Sequence, residues 1–205
     1  MIYLSSFLFS EETVSNPNIY PYNVFAGKNE KVLVFNSPIT VLYGNNASGK
    51  STMLNIMANR LGLEGQEYAT SNKFGKTLYF SQFVEECSYT LGETEDGRSL
   101  KRLPQKSRYI KSEDILYEIK KIQQEQVLGD GYVYEHIRRG MPKEQWEYLG
   151  CQFIISTHSP FMLGTLRAKI YNLDSGELEE AKWTELENVR YFYDFFERHR
   201  EEFQK

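Results

Sequence analysis

A short apolar run, Ile39, Val41, Leu42 and Tyr43, follows Pro38 and stops at Gly44, and its length and content predict a buried strand. Beyond a polar, glycine-bounded loop, Thr52-Met53-Leu54-Asn55-Ile56-Met57-Ala58-Asn59-Arg60-Leu61 reads as a helix, begun near Lys50 and closed by Gly62. Upstream, within residues 1–38, three strand-like pieces run Ile2 to Phe9, Tyr20 to Phe25 and Lys31 to Phe35. Turn chemistry at Asn16-Pro17-Asn18 and Gly27-Lys28-Asn29 separates them. They suggest an antiparallel lead-in to the sheet that carries the glycine loop; irregular packing around the aromatics accounts equally well for the first piece.

Downstream, a polar loop from Glu64 to Lys76 precedes Thr77-Leu78-Tyr79-Phe80-Ser81-Gln82, which reads as a second buried strand with Gln82 at its carboxyl end. Gly92 to Lys111 is polar and reads as an exposed loop. Ser112 caps a predicted helix whose apolar stripe is Ile115, Leu116, Ile119 and Ile122, and further helices are expected over Tyr132 to Arg139 and Pro142 to Leu149. Cys151-Gln152-Phe153-Ile154-Ile155-Ser156-Thr157 reads as a buried strand, with Ser159 and Pro160 opening a helix to Leu166. Lys169 to Asp174 is a further strand ending in a turn, and Thr184-Glu185-Leu186-Glu187 reads as a capping box. The helix it opens has Leu186, Val189, Tyr193 and Phe196 as its apolar face. Strands alternating with helices imply an α/β sandwich.

The 205 residues suit one domain, and 40% hydrophobic with 25% charged residues are ordinary globular values. Fifteen tyrosines and 13 phenylalanines make the chain unusually aromatic. A net charge of −4 argues against non-specific coating of nucleic acid, although a local basic patch is compatible with it. The two cysteines, Cys87 and Cys151, lack metal-ligand spacing, so reduced thiols and a cytoplasmic location are expected. The start lacks the basic and apolar regions of a signal peptide, and no apolar run approaches the ~20 residues of a membrane span.

Gly44-Asn45-Asn46-Ala47-Ser48-Gly49-Lys50-Ser51 fits G-x-x-x-x-G-K-[ST] at every fixed position, between a strand and a helix as that motif requires. Gly44 and Gly49 free the backbone so that successive N–H groups converge on an anion, and the helix start adds a partial charge of roughly +0.5. Lys50 is expected to reach the β- and γ-phosphates, and the Ser51 hydroxyl to hold Mg²⁺. His158, at the carboxyl end of a strand, is placed to meet a bound γ-phosphate; without the glycine loop, a structural hydrogen bonder is the preferred reading. Gln82 alone reads as readily as an ordinary loop glutamine. The basic interval from Arg98 to Lys111, with Tyr109 as a stacking surface, could touch nucleic acid, but a solvated loop accounts for it better. Asn72-Lys73-Phe74-Gly75 lacks the Asp of an N-K-x-D guanine reader, which disfavours a GTPase.

Together these stretches resemble the AAA-family ATPases of the ABC-like branch, kin to SMC-like and ABC transporter nucleotide-binding domains. The carrying residues are Gly44 to Ser51 as Walker A, Gln82 as a Q-loop glutamine, and Ile154-Ile155-Ser156-Thr157-His158-Ser159-Pro160 as the switch-histidine motif. The resemblance implies a three-layer P-loop NTPase sandwich of ABC-ATPase type with an antiparallel N-terminal β part, formed as one domain over residues 1–205. Its parts would be the β lead-in at 1–38, the P-loop and Q-loop core at 39–83, an incomplete helical insert at 84–150, and the switch strand with C-terminal helix at 151–205. It also implies ATP and Mg²⁺ as cofactors. Gly44, Asn45, Asn46, Ala47, Ser48, Gly49, Lys50, Ser51 and Thr52 would hold phosphate, Ser51 and Gln82 the metal, and His158 the γ-phosphate.

Two elements of that family are absent from the sequence: an L-S-G-G-E-like signature, and an apolar run followed by Asp-Glu that would be Walker B. Trp146-Glu147-Tyr148-Leu149 runs almost directly into the switch strand, as after an internal deletion, and neither Asp130 nor Asp174 is a convincing substitute. Loss of a general base typically costs 10² to 10⁴ in rate, so slow or undetectable hydrolysis is expected. The resemblance places the Walker B strand beside the Val41 strand, and its loss predicts a gap there, a closer Leu78 strand, or marginal stability. Without the signature, the family's ATP-sandwiched homodimer loses half its contacts. A monomer, or a dimer through another surface, then becomes the expectation.

Overall fold

The computed structural model describes residues 1–16, 18–28, 31–67, 79–105, 107–110, 151–175 and 178–204. Its elements in chain order are β1 (Leu4–Leu8), α1 (Tyr22–Phe25), β2 (Val32–Val34), β3 (Ile39–Tyr43), α2 (Lys50–Arg60), α3 (Tyr79–Glu86), β4 (Ser88–Leu91), β5 (Phe153–Thr157), α4 (Pro160–Thr165), β6 (Lys169–Asn172), β7 (Glu179–Glu180) and α5 (Glu187–Arg198). Short 3₁₀ turns at Trp183–Glu185 and Arg200–Phe203 flank α5. The expected helices between Ser112 and Leu149, and the residues Thr77 and Leu78, lie outside the described residues.

Two sheets form, a mixed α/β arrangement compatible with a P-loop NTPase-like fold. One is antiparallel with order β2-β1-β4; the other has order β5-β3-β6-β7, with its first three strands parallel. The N-terminal strands therefore do not lead into the sheet of β3 but pair with β4 in a sheet of their own. Side chains bridge the two sheets. Gln152, just before β5, accepts from the N–H groups of Tyr3 and Leu4 at 2.9 and 2.8 Å and donates to the Leu4 carbonyl at 2.8 Å. The Tyr171 hydroxyl takes the Val34 N–H and donates to the Val34 carbonyl, both at 2.9 Å.

No gap opens beside β3. Its residues pair with β5 from Ile39↔Phe153 to Tyr43↔Thr157 on one edge, and with β6 from Thr40↔Lys169 to Tyr43↔Asn172 on the other. Alternation along β3 divides the core as the two-residue strand period requires. Leu42 joins Met53, Ile56, Met57 and Tyr171 between the sheets, while Val41 and Tyr43 pack with Leu163, Ile170, Leu186 and Val189 under α4 and α5. β5 is only partly buried along its length, less covered than the expected buried strand.

Two predicted strands are helices. Tyr22 and Phe25 are both buried and stand three apart, the spacing of one helix face, so the Tyr20 to Phe25 piece coils after Pro21. Likewise Phe80, Phe83 and Cys87 are buried at helical spacing, whereas Ser81 and Gln82 face outward. Part of the aromatic surplus lies here. Phe7, Phe9, Phe25, Phe83 and Tyr22 form a ring cluster with successive centroids 4.7 to 4.9 Å apart, fastening α1 and α3 to the antiparallel sheet.

The capping box is also corrected. Thr184 lies in the 3₁₀ turn, and α5 is preceded by Leu186 in extended conformation with no side-chain cap. Leu186 is drawn into the core and delays the helix by two residues, which leaves Glu187 in the first turn at the positive end of the dipole. Of the expected apolar face, Leu186 and Val189 are buried but Tyr193 and Phe196 are exposed.

Buried Thr40 on β3 has a hydroxyl that finds no hydrogen-bond partner among the described residues. Thr40→Val keeps the shape and removes that group, so stability is expected to rise by about 1 kcal/mol, or ~2–4 °C in Tm. A thermal melt checks this, and an unchanged or lower Tm refutes it. Cys87 is buried and Cys151 exposed. Burial pushes the Cys87 thiol up to about 12, and its Sγ donates to the Phe83 carbonyl at 3.1 Å. A disulfide reagent at pH 8 is expected to modify one thiol in the native protein and both after unfolding. No helix among the described residues is long and apolar enough to cross a membrane.

Candidate functional site

Parallel pairing brings the carboxyl ends of β5, β3 and β6 out side by side, and all the principal sequence candidates except Gln82 emerge there. At the end of β3, Gly44 is buried; a Cβ on it would stand 2.5 Å from Ser48 Oγ and 3.1 Å from Asp174 Oδ1. Close approach, not backbone angle, sets that glycine apart, since a Cβ would displace the Ser48 hydroxyl. Gly49 is different: its φ of +92° is in the left-handed region, and a Cβ would lie 2.3 Å from Val24 Cγ1 of α1. Between them Ala47 also turns left-handed, with φ 66°, and the Ser48 N–H reaches back to the Asn45 carbonyl at 3.2 Å.

The turn hands over directly to α2, whose first bond runs from the Met53 N–H to the Gly49 carbonyl at 2.9 Å. At such a helix start the N–H groups of Lys50, Ser51 and Thr52 have no intrahelical acceptor. Lys50 folds over the loop: its Nζ donates to the Gly44 carbonyl at 2.7 Å, the Asn45 carbonyl at 2.6 Å and Ser48 Oγ at 3.4 Å. Burial draws the Lys50 ammonium below its ordinary range, and the Asp174 carboxylate pulls the other way. Asn45, Asn46, Ala47 and Ser51 are exposed at the mouth of the turn.

Three side chains that sequence reasoning did not assign to the site brace it. Asp174, at the end of β6, accepts the Asn45 N–H with both oxygens at 2.8 and 3.0 Å. Lys28 donates to the Leu173 carbonyl at 3.1 Å, and burial lowers its pKa while Asp174 raises it. Asn188 in the first turn of α5 donates to Asn45 Oδ1 at 3.0 Å. A signal existed for Asp174, which stands at the carboxyl end of a strand beside the loop strand, where ligands gather in open α/β sheets. Lys28 and Asn188 carry no local motif.

His158 is exposed and follows Thr157, the residue opposite Tyr43, so the imidazole and the loop leave adjacent strands at the same level. Neighbouring strands lie about 4.8 Å apart. Ser159 precedes α4 without a side-chain cap, and its N–H is instead taken by Thr157 Oγ1 at 3.1 Å. Gln82 does not end a strand. It lies exposed on α3, and its amide donates to Glu86 Oε1 at 2.9 Å, beside the bonds that Ser10 and Tyr22 give the same carboxylate.

The donor set fits the phosphates of a nucleotide: a cradle closed to a Cβ, free N–H groups at a helix start, and one ammonium. For Mg²⁺ the fit is thinner. Among the described residues no group of three or more His, Cys, Asp or Glu gathers to hold a metal. A separate cleft lined by Leu54, Met57, Leu61, Tyr109 and Gln152 lies at the amino end of β5, away from the loop. No curated protein matches the chain significantly. A family model described as an AAA domain matches residues 18–202.

Proposed function

The chain belongs to the AAA domain family, and from that premise we propose an ATP-binding protein of the ABC-like branch that hydrolyses its nucleotide slowly. Membership gives a nucleotide-binding, ATPase-like role; the finer reading rests on the site. The turn from Gly44 to Thr52 receives the polyphosphate, chiefly on the N–H groups of Lys50, Ser51 and Thr52 at the helix start, and Lys50 exchanges the Gly44 and Asn45 carbonyls for phosphate oxygens. Ser51 would hold Mg²⁺, which would supply positive charge to offset that of the phosphates. His158 faces the γ-phosphate from the neighbouring strand. The observation that carries this is the closed loop at the carboxyl edge, flanked by the ends of β5 and β6.

The sequence gives no Asp-Glu pair after an apolar run, so no side chain is assigned to polarise the attacking water. That favours a second reading, a nucleotide-binding module without turnover. Calorimetry with MgATP together with a phosphate-release assay separates the two. Binding with release above that of Lys50→Ala supports the ATPase; binding with equal release in both proteins supports the module. Absence of binding to ATP, ADP and GTP overturns both.

A further inference from the structure

We propose that Asp174 is a specificity-determining residue: its carboxylate ranks ligands of the loop by net charge and selects magnesium-loaded nucleotide over metal-free nucleotide and inorganic polyphosphate. The inference rests on the reading of the loop as a phosphate seat and deepens it. One peptide unit joins the two charges concerned. The Gly44 carbonyl takes the Lys50 ammonium at 2.7 Å, and the N–H at the other end of the same unit, that of Asn45, goes to both Asp174 oxygens at 2.8 and 3.0 Å. Across this planar link, carboxylate and ammonium stand within ~8 Å of each other.

The carboxylate is held in place. The Asp174 N–H donates to Asn172 Oδ1 at 3.1 Å and the Ser175 hydroxyl to the Asn172 carbonyl at 2.9 Å, which pins the turn after β6 at its base. Its charge is felt around the loop. Burial lowers the pKa of Lys28 and Asp174 offsets part of that fall; burial raises that of Tyr43 and Asp174 adds to the rise. A neutral oxygen at the same place would also accept the Asn45 N–H, so bracing the loop does not require a negative charge. The charge contributes something else, a repulsion of anions from a seat built for them.

Its magnitude grades the ligands. Over ~8 Å at a wet surface, a fixed unit charge changes the affinity of a singly charged anion by about 2-fold at low salt. The effect compounds with ligand charge, to about 4-fold for a magnesium nucleotide of about −2 and about 16-fold for metal-free ATP of about −4. Lys28 and Lys50 keep the seat attractive to phosphate, while Asp174 weights it against the more highly charged forms.

Calorimetry of the full chain in ~20 mM salt, with MgATP and then with ATP or tripolyphosphate in a metal chelator, tests this. The wild type is compared with Asp174→Asn and Asp174→Ser, both of which keep an acceptor for the Asn45 N–H. Both variants are expected to bind MgATP about 4-fold tighter, and metal-free ATP and tripolyphosphate about 16-fold tighter, than the wild type does. At ~0.5 M salt the gains should shrink below about 2-fold. Equal gains for all three ligands, a loss for any of them, or gains that salt leaves intact overturn the proposal. Failure of both variants to fold in a thermal scan also overturns it, since the carboxylate would then be a structural requirement alone. A wild-type chain that binds none of the three ligands defeats the phosphate seat itself. Wild-type binding with an unchanged order of preference in the variants defeats this inference and leaves the seat standing.

Discussion

Lys50→Ala is expected to weaken MgATP binding by about 10- to 100-fold, the ~1.5–3 kcal/mol of charge-assisted bonds, while moving Tm by no more than ~2–4 °C. The loop carbonyls that Lys50 now caps lie at or near the exposed mouth, so water can replace the ammonium with little loss. Calorimetry beside a thermal scan measures both quantities. An unchanged affinity would remove the loop from any account of function. Lys50 also sets an alkaline limit. Burial lowers its pKa, and a bound polyphosphate would raise it. Affinity should then be full below the lowered value and decline as pH rises through it, beginning below the ordinary lysine range. The alanine variant should lose that alkaline arm.

Gly49→Ala is expected to cost about 2–4 kcal/mol, or roughly 5–15 °C in Tm. Two effects combine at this residue. A side chain in the left-handed region costs roughly 1–2 kcal/mol, and the new methyl would stand 2.3 Å from Val24 Cγ1. Val24→Ala removes the second effect without touching the first, so in a Val24→Ala background Gly49→Ala should cost about half as much. Urea unfolding of the wild type, both single variants and the double variant tests this; a loss under ~0.5 kcal/mol in Gly49→Ala would refute it.

The loop, its strand and its helix were legible because their signals are local: an apolar run, a glycine-bounded turn and a change of period within some 25 positions. β5, Pro160 at a helix start and β6 were readable for the same reason. Tyr20 to Phe25 and Thr77 to Gln82, the latter described from Tyr79, misled because a window of six residues cannot separate a short apolar strand from part of an amphipathic helix. Once Phe83 and Cys87 are included, the helical period is plain. The braces on the loop were hidden for another reason. Asp174, Lys28 and Asn188 reach their partners across 129, 145 and 143 positions, and nothing in the neighbourhood of any of them announces the contact.

β3 takes both of its neighbours from the last quarter of the chain, Phe153 onward on one edge and Lys169 onward on the other. During synthesis, the central strand and its glycine turn therefore wait through roughly 110 further residues with neither edge zipped. At ~5–20 residues per second that is about 6–20 s on the ribosome. A nascent chain interrupted before residue 153 would present that strand bare, the form in which chaperones and aggregation compete for it.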